Sequence, residues 1–363
     1  MSKDHYIIPI FVPNEGCPHN CVFCDQSTIT GCHETAVDYD YTVKTIECYL
    51  KTIKNKDAVI EVSFFGGTFT AIDINKQKEL LRAAKYYKDK GYIDFIHLST
   101  RPDYIDRDIL DNLKDYDTDI IELGIQSFDE DVLIKSGRGH TGKDSADASL
   151  LIKEYGFTLG HQIMLGLPGD SFEKDIETSV KSIRLKPDIC RIYPALVIKN
   201  TPMEKMYMDG KYMPYSLEDA VNVSKIIYSL YDMSDIKVIR IGLQPTEEIN
   251  EGKEVCAGPF HPSFRELVES SLMNDMIENA VFHDYTGDIQ LFINSKDLSK
   301  LYANKKEYYN KMAGTFKNVD FSVHCSNSLK RGNILMDMGG SVIELSLHKY
   351  AAGKYGDLLS KAY

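Results

Sequence analysis

Gly16-Cys17-Pro18-His19-Asn20-Cys21-Val22-Phe23-Cys24-Asp25 sets three thiols within eight positions, spaced C-x3-C-x2-C. Three thiolates on one loop can ligate three irons of a cubane [4Fe–4S] cluster, which ordinarily takes four cysteines. Cys17, Cys21 and Cys24 are therefore the expected metal ligands, and the missing fourth leaves one iron open. An open iron that gives an electron to S-adenosylmethionine would make a 5′-deoxyadenosyl radical, chemistry that the cofactor carries and the protein aims. Phe23 lies between two ligands, where its ring can face a bound adenine or else fill core. Two readings compete: structural zinc with His19 or His33 as fourth donor, and chance clustering. Zinc loops usually pair C-x2-C with a second, distant pair, and none follows here.

Composition frames that chemistry. The chain has 363 residues, 43% hydrophobic and 26% charged, as a folded protein should be. Eight cysteines are too few for a disulfide scaffold, and a tight trio in a reducing compartment points to metal or redox work. No apolar run approaches the ~20 residues of a membrane helix, and Pro9 and Pro13 interrupt any signal peptide, so a cytoplasmic protein is expected. The net charge of -12 repels phosphate backbones unless a basic patch is built locally.

The elements that must position the trio alternate. Strand candidates are 6–12, 59–65, 93–98, 120–125, 158–165, 189–198 and 237–243, most of them apolar on both faces like buried parallel strands. Helical patterns fall between, at 42–54, 75–90, 107–114, 143–155, 172–185 and 217–231, with Asp73, Asp106, Ser171 and Ser216 as candidate caps. Such alternation gives right-handed crossovers and a parallel sheet. Gly66-Gly67-Thr68, Thr100-Arg101-Pro102, Gln126-Ser127, Gly166-Leu167-Pro168-Gly169 and Tyr193-Pro194 all lie at or near C-terminal strand ends, the ligand face of barrel enzymes. After Cys256-Ala257-Gly258-Pro259 the rhythm changes to a helix (263–278) and strands near 288–294, 319–323, 333–336 and 342–345. Two domains are expected, a barrel over 1–250 and a small α/β cap over 251–363 that packs tightly on it.

The sequence resembles the radical S-adenosylmethionine superfamily, and within it the radical domain of the Elongator-subunit-3 family of tRNA-modifying enzymes and its short bacterial relatives. The resemblance runs from about Ile7 to Met276 and rests on Gly66-Gly67-Thr68-Phe69, Thr100-Arg101-Pro102-Asp103-Tyr104, Glu122-Leu123-Gly124-Ile125-Gln126-Ser127, Gly137-Arg138-Gly139-His140-Thr141 and Tyr193-Pro194-Ala195-Leu196-Val197-Ile198. It implies an α/β fold, a partial (β/α)6 barrel with the cluster in the loop after strand 1. By the same resemblance Gly66, Gly67 and Thr68 meet the methionyl amino group. Thr68 stands where the wider superfamily has an acid. Thr100, Arg101 and Gln126 come within reach of ribose or substrate. Arg138 pairs with the methionyl carboxylate, for which a guanidinium fork is a natural receptor. Met164 and Leu165 meet adenine, and Tyr193 ends strand 6. Arg101 and Arg138 can equally be ion pairs, Gln126 a turn cap and Tyr193 a core wall.

Two departures steer the functional expectation. The Elongator family carries an acetyltransferase domain, whereas the roughly 110 residues after this barrel show no glycine-rich coenzyme A loop. That family also grips tRNA with a basic N-terminal segment, whereas residues 1–40 hold Lys3 against six acids. The leading expectation is thus a radical enzyme with a small-molecule substrate, the best guess being queuine cleaved at a C–N bond. The alternatives are tRNA wobble-base modification and a non-catalytic iron–sulfur adaptor. An external electron donor of flavodoxin or ferredoxin type is implied, with no membrane, and tRNA is disfavoured by charge. No catalytic side chain is assigned. His140 and His161 read as structural, Arg240 and Gln244 as residues that can reach the pocket, and Cys190, Cys256 and Cys325 as small core residues.

Overall fold

The structure is a computed structural model and describes residues 4–12, 16–17, 19–25, 37–243, 245 and 253–361. His33, Gln244 and Pro13 fall outside them. Seven parallel strands form one sheet in the order β1-β2-β3-β4-β5-β6-β8: β1 (His5–Val12), β2 (Val59–Gly66), β3 (Phe95–Thr100), β4 (Ile120–Gln126), β5 (Thr158–Leu165), β6 (Ile189–Pro194) and β8 (Lys237–Ile241). Sequential order with β1 and β8 as edges makes a partial barrel, one strand beyond the six that the resemblance implies.

Helices fill the crossovers: α1 (Tyr39–Thr52), α2 (Ile74–Asp89), α3 (Arg107–Asp115), α4 (Glu130–Lys135), α5 (Gly142–Glu154), α6 (Phe172–Arg184), α7 (Pro202–Met208) and α8 (Leu217–Met233). All four expected caps act. Asp73, Asp106, Ser171 and Ser216 each accept backbone N–H bonds in the first turn of their helix, satisfying donors that a helix start leaves orphaned. The expected strand 189–198 is broken. Pro194 ends β6 beside Leu165, and the chain turns so that β7 (Val197–Ile198) pairs antiparallel with β9 (Val255–Ala257). Proline has no N–H with which to continue a ladder.

Alternation fixes the two faces of the sheet. Ile8, Ile10, Val62, Phe64, Ile96, Leu98, Ile121 and Leu123 are buried in the core cluster on the helix side. Cys190 and Ile192 belong to a second cluster with α6 and α8. The residues between them therefore face the inner side.

α9 (Phe264–Ala280) joins the two parts of the chain. Its first half, through Phe264, Leu267, Val268 and Leu272, packs into the barrel cluster. Its second half, through Met273, Met276 and Ile277, packs under a second sheet of order β11-β10-β12-β13. That sheet comprises β10 (Gly287–Ile293), β11 (Val319–Cys325), β12 (Asn333–Met338) and β13 (Ser341–Ser346). The last helix, Leu347–Ser360, returns Ala351 and Tyr355 to the barrel core. Of the three cysteines read as core, only Cys190 is buried; Cys256 is partly exposed, and Cys325 is exposed because β11 is an edge strand. Among the described residues no helix is long and apolar enough to cross a membrane.

His161 is structural. It lies on the helix side of β5, where Nε2 meets Ser149 Oγ at 3.0 Å and Nδ1 meets Ser182 Oγ at 2.8 Å. Burial pushes its pKa down to about 3. A depressed histidine pKa contributes stability that is present above the unfolded value of about 6.5 and is lost as pH falls toward 3, by about 1.4 kcal/mol per unit. Melting curves between pH 7 and 4 should show the wild type losing stability more steeply than His161→Gln. Parallel pH dependences would contradict this.

Candidate functional site

The described residues of the cysteine loop, 16–17 and 19–25, form no strand or helix, and other segments hold them. Gly16 lies with its Cα against the Thr68 carbonyl, and Cys17 Sγ is 3.3 Å from Thr68 Oγ1. Thr68 itself is buried after β2, where Gly67 N–H donates to the Val12 carbonyl at 2.9 Å. On the other side Val22 N–H donates to the Ser136 carbonyl at 3.0 Å, and Met203 N–H at the start of α7 donates to the Val22 carbonyl at 2.9 Å.

Gly137-Arg138-Gly139 forms the clamp. A Cβ on Gly139 would sit 2.4 Å from the His19 ring, and Gly139 has φ +75, so only glycine fits here. Arg138 lies 6% exposed. Its Nη1 donates to Cys21 Sγ at 3.2 Å and its Nη2 to the Gly124 carbonyl at 2.6 Å, while Nε is buried without a partner. Burial pushes the Cys24 thiol up to about 12, helped by Cys21 and Cys17, whereas Arg138 pulls it down. One guanidinium thus faces the thiol loop, bonded to Cys21 and opposing the rise at Cys24.

The donor set fits a cubane cluster, which asks for one thiolate at each of three irons. A single metal ion asks for donors converging on one point, and among the described residues no three His, Cys, Asp or Glu side chains do so.

The structure sorts the other expected contacts. Phe23 and Met164 are both partly buried against one apolar cluster that includes Val197 and Met203. Leu165 has its side chain in the helix-side core, so only its backbone reaches the strand end. Gln126 has φ +68, uncommon outside glycine, and Gln162 Nε2 donates to its Oε1 at 3.4 Å. Thr100 and Arg101 are committed locally. Thr100 Oγ1 pairs with Thr70 Oγ1 at 2.6 Å. Arg101 grips Asp103 through Nε at 2.9 Å and Nη2 at 2.8 Å, and also donates to the Arg138 carbonyl. Both position their neighbours.

His140 donates toward the Ile125 carbonyl at 3.2 Å and keeps Nδ1 buried without a partner. Burial, then Arg138 and Arg101, lower its pKa to about 3.

The inner face of the sheet holds a polar ladder that sequence reasoning passed over. Glu61 Oε1 receives His97 Nδ1 at 2.7 Å and Ser63 Oγ at 2.5 Å. Burial pushes the Glu61 carboxyl up, but the bonds from His97 and Ser63 win and hold it at about 2. His97 Nε2 faces Glu122 Oε2 at 3.7 Å, and Arg191 Nε donates to that oxygen at 2.7 Å. A Cβ on Gly160 would stand 3.1 Å from the Glu122 side chain, so glycine there lets Glu122 cross to β6. Each ladder residue is third in its strand and flanked by apolar neighbours, a pattern open to reading.

Comparison with known proteins bears on all of this. The Radical SAM superfamily domain matches residues 11–182 and the Radical_SAM C-terminal domain matches 187–274. A tRNA uridine(34) acetyltransferase of Methanocaldococcus jannaschii is 28% identical over 60% of this chain and 47% of its own length. Mouse Elongator complex protein 3 is 26% identical over 62% of this chain and 49% of its own. The chain thus spans about half the length of the curated relatives it matches. The archaeal Methanocaldococcus infernus Elp3 with an N-terminal deletion superposes with a TM-score of 0.62 at 24% identity, covering 76% of this chain and 64% of that one, a likeness of fold.

Gly139→Ala should push the His19 ring and the cysteine loop off the clamp. Iron bound per chain after anaerobic reconstitution should fall below half of wild type, with the barrel still folded by circular dichroism. Full iron loading in that variant would show that the clamp does not set the loop.

Proposed function

Because this chain belongs to the radical S-adenosylmethionine superfamily, we propose that it is a radical enzyme acting on the wobble uridine of tRNA. The observation that carries the reading is the relatives' own designation, tRNA uridine(34) acetyltransferase, joined to a cysteine loop clamped at the C-terminal strand ends. The same relatives favour tRNA over free queuine as the substrate.

The overall charge of -12 opposes RNA, but one element departs from it. Helix α2 carries Lys76, Lys78, Arg82, Lys85 and Lys88 against Glu79 and Asp89, a local excess of three positive charges, with Tyr86 exposed beside them. Lys85 and Lys88 are engaged by Asp117 and Asp119, so Lys78 and Arg82 are the stronger phosphate contacts.

Cys17, Cys21 and Cys24 would hold a [4Fe–4S] cluster, which, given an electron by a flavodoxin- or ferredoxin-type donor, supplies a 5′-deoxyadenosyl radical from S-adenosylmethionine. The chain's own groups do the aiming. Arg138 fixes Cys21 and keeps Nε as an unspent donor for a carboxylate. Phe23 and Met164 offer apolar walls to a purine. Gln126 and Gln162 offer amides to hydroxyls. The apolar cluster around Val197 and Met203 keeps water from the slot.

Reduced anaerobically with S-adenosylmethionine, the wild type should release 5′-deoxyadenosine, and bulk tRNA should both bind at moderate salt and raise that release. Cys21→Ala should bind no cluster and release none. Release that proceeds without any tRNA binding would overturn the tRNA reading and return a small-molecule substrate.

A further inference from the structure

We infer that Arg191, Tyr193 and Arg240, on the inner face of β6 and β8, form a receptor for an oxyanion carried by the substrate, a phosphate or a carboxylate. Arg240 is its principal ligand. The inference deepens the proposed function, since it takes the inner face of the barrel as the substrate side.

The placement is set by backbone. Cys190 and Ile192 lie in the helix-side core, so Arg191 and Tyr193 turn inward. The β6–β8 ladder slips by one residue between Cys190 and Arg191. Without the slip Arg191 would stand beside Ile239; with it, Arg191 stands beside Arg240. A bulge that re-aims a side chain is a built feature, and this one brings two guanidiniums together on a part-buried wall. Like charges so placed repel unless an anion lies between them or close by.

Among the described residues the chain's own carboxylates answer Arg191 alone and leave Arg240 unmatched. Glu122 is bound to Arg191 Nε at 2.7 Å. Glu61 is taken by His97, Ser63 and His5 at 2.7, 2.5 and 3.2 Å. Among the described residues Arg240 makes no hydrogen bond and no ion pair. Tyr193 completes the wall. Burial raises its phenol pKa, while Arg191 and Arg240 both pull it down, so both cations stand close to it. Phe65 lies under Arg191, its ring centre 5.5 Å from the guanidinium carbon, and keeps that fork flat against the wall. A forked, unspent guanidinium beside a paired one is a receptor for a two-oxygen anion.

The test is titration of the full chain with inorganic phosphate, followed by ³¹P NMR at low salt. Wild type should bind at one site, and Arg240→Gln should weaken that binding about tenfold or more, the loss expected for a charge-assisted hydrogen-bond pair. Displacement of phosphate by bulk tRNA would give the anion a nucleotide source. Displacement by acetate but not tRNA would give it a small carboxylate. Phosphate that neither displaces would indicate a small phosphorylated molecule.

Equal phosphate affinity in wild type and Arg240→Gln, or no binding by either, overturns the inference. If Arg240→Gln does not fold, Arg240→Lys carries the test. Replacing the fork with a compact ammonium should weaken binding severalfold, and unchanged affinity overturns the inference there too. None of these titrations needs the cluster or S-adenosylmethionine, so failure here and failure of the radical reading are separately visible.

Discussion

Three thiols must be kept together on one short loop, and the rest of the barrel is organised around that demand. Burial and the neighbouring sulfurs raise the Cys24 thiol, and only Arg138 among its neighbours acts to lower it. Among its described residues the loop has no ladder or helix to hold it. Its backbone instead bonds to Ser136 and to the first turn of α7, while its ends press on Thr68 and Gly139. Loop placement of reactive groups on a rigid scaffold is a common arrangement, and here the scaffold reaches the loop from three separate crossovers.

Inside the sheet a different economy of charge operates. A ladder from His5 through Glu61, His97 and Glu122 to Arg191 joins five strands, β1, β2, β3, β4 and β6, with each carboxylate taken. Buried polar groups of this kind are tolerable only when satisfied. The ladder ends at Arg191 on β6, and Arg240 on the neighbouring β8 is left over. An enzyme that must orient an anionic substrate beneath a radical source gains from a cation that the fold has not already neutralised.

Much of this was legible in the sequence, for identifiable reasons. The cysteine spacing, the four helix caps and the strand-end Gly66-Gly67-Thr68 are local signals, and local signals survive folding. The break at Pro194 was written in the residue itself but was overridden by the β-rich run on either side. Helix α9 was legible as 263–278 although it is buried against both the barrel and the second sheet, whereas the last helix, Leu347–Ser360, went unread. Thr100 and Arg101 were legible as strand-end residues, but their partners, Thr70 and Asp103, are set by tertiary packing and short-range turns. The interior ladder went unread because single charges in apolar strands resemble exceptions until their register aligns them. Arg240 could be placed near the pocket from sequence, but the slip that seats it beside Arg191 could not.

The most direct test of the central claim is electron paramagnetic resonance of the anaerobically reconstituted, reduced protein with and without S-adenosylmethionine. A three-cysteine site with one open iron predicts about four irons and four sulfides per chain, and a reduced-cluster signal that shifts when S-adenosylmethionine is added. A preparation that takes up zinc in place of iron and sulfide, or a cluster signal indifferent to S-adenosylmethionine, would contradict it.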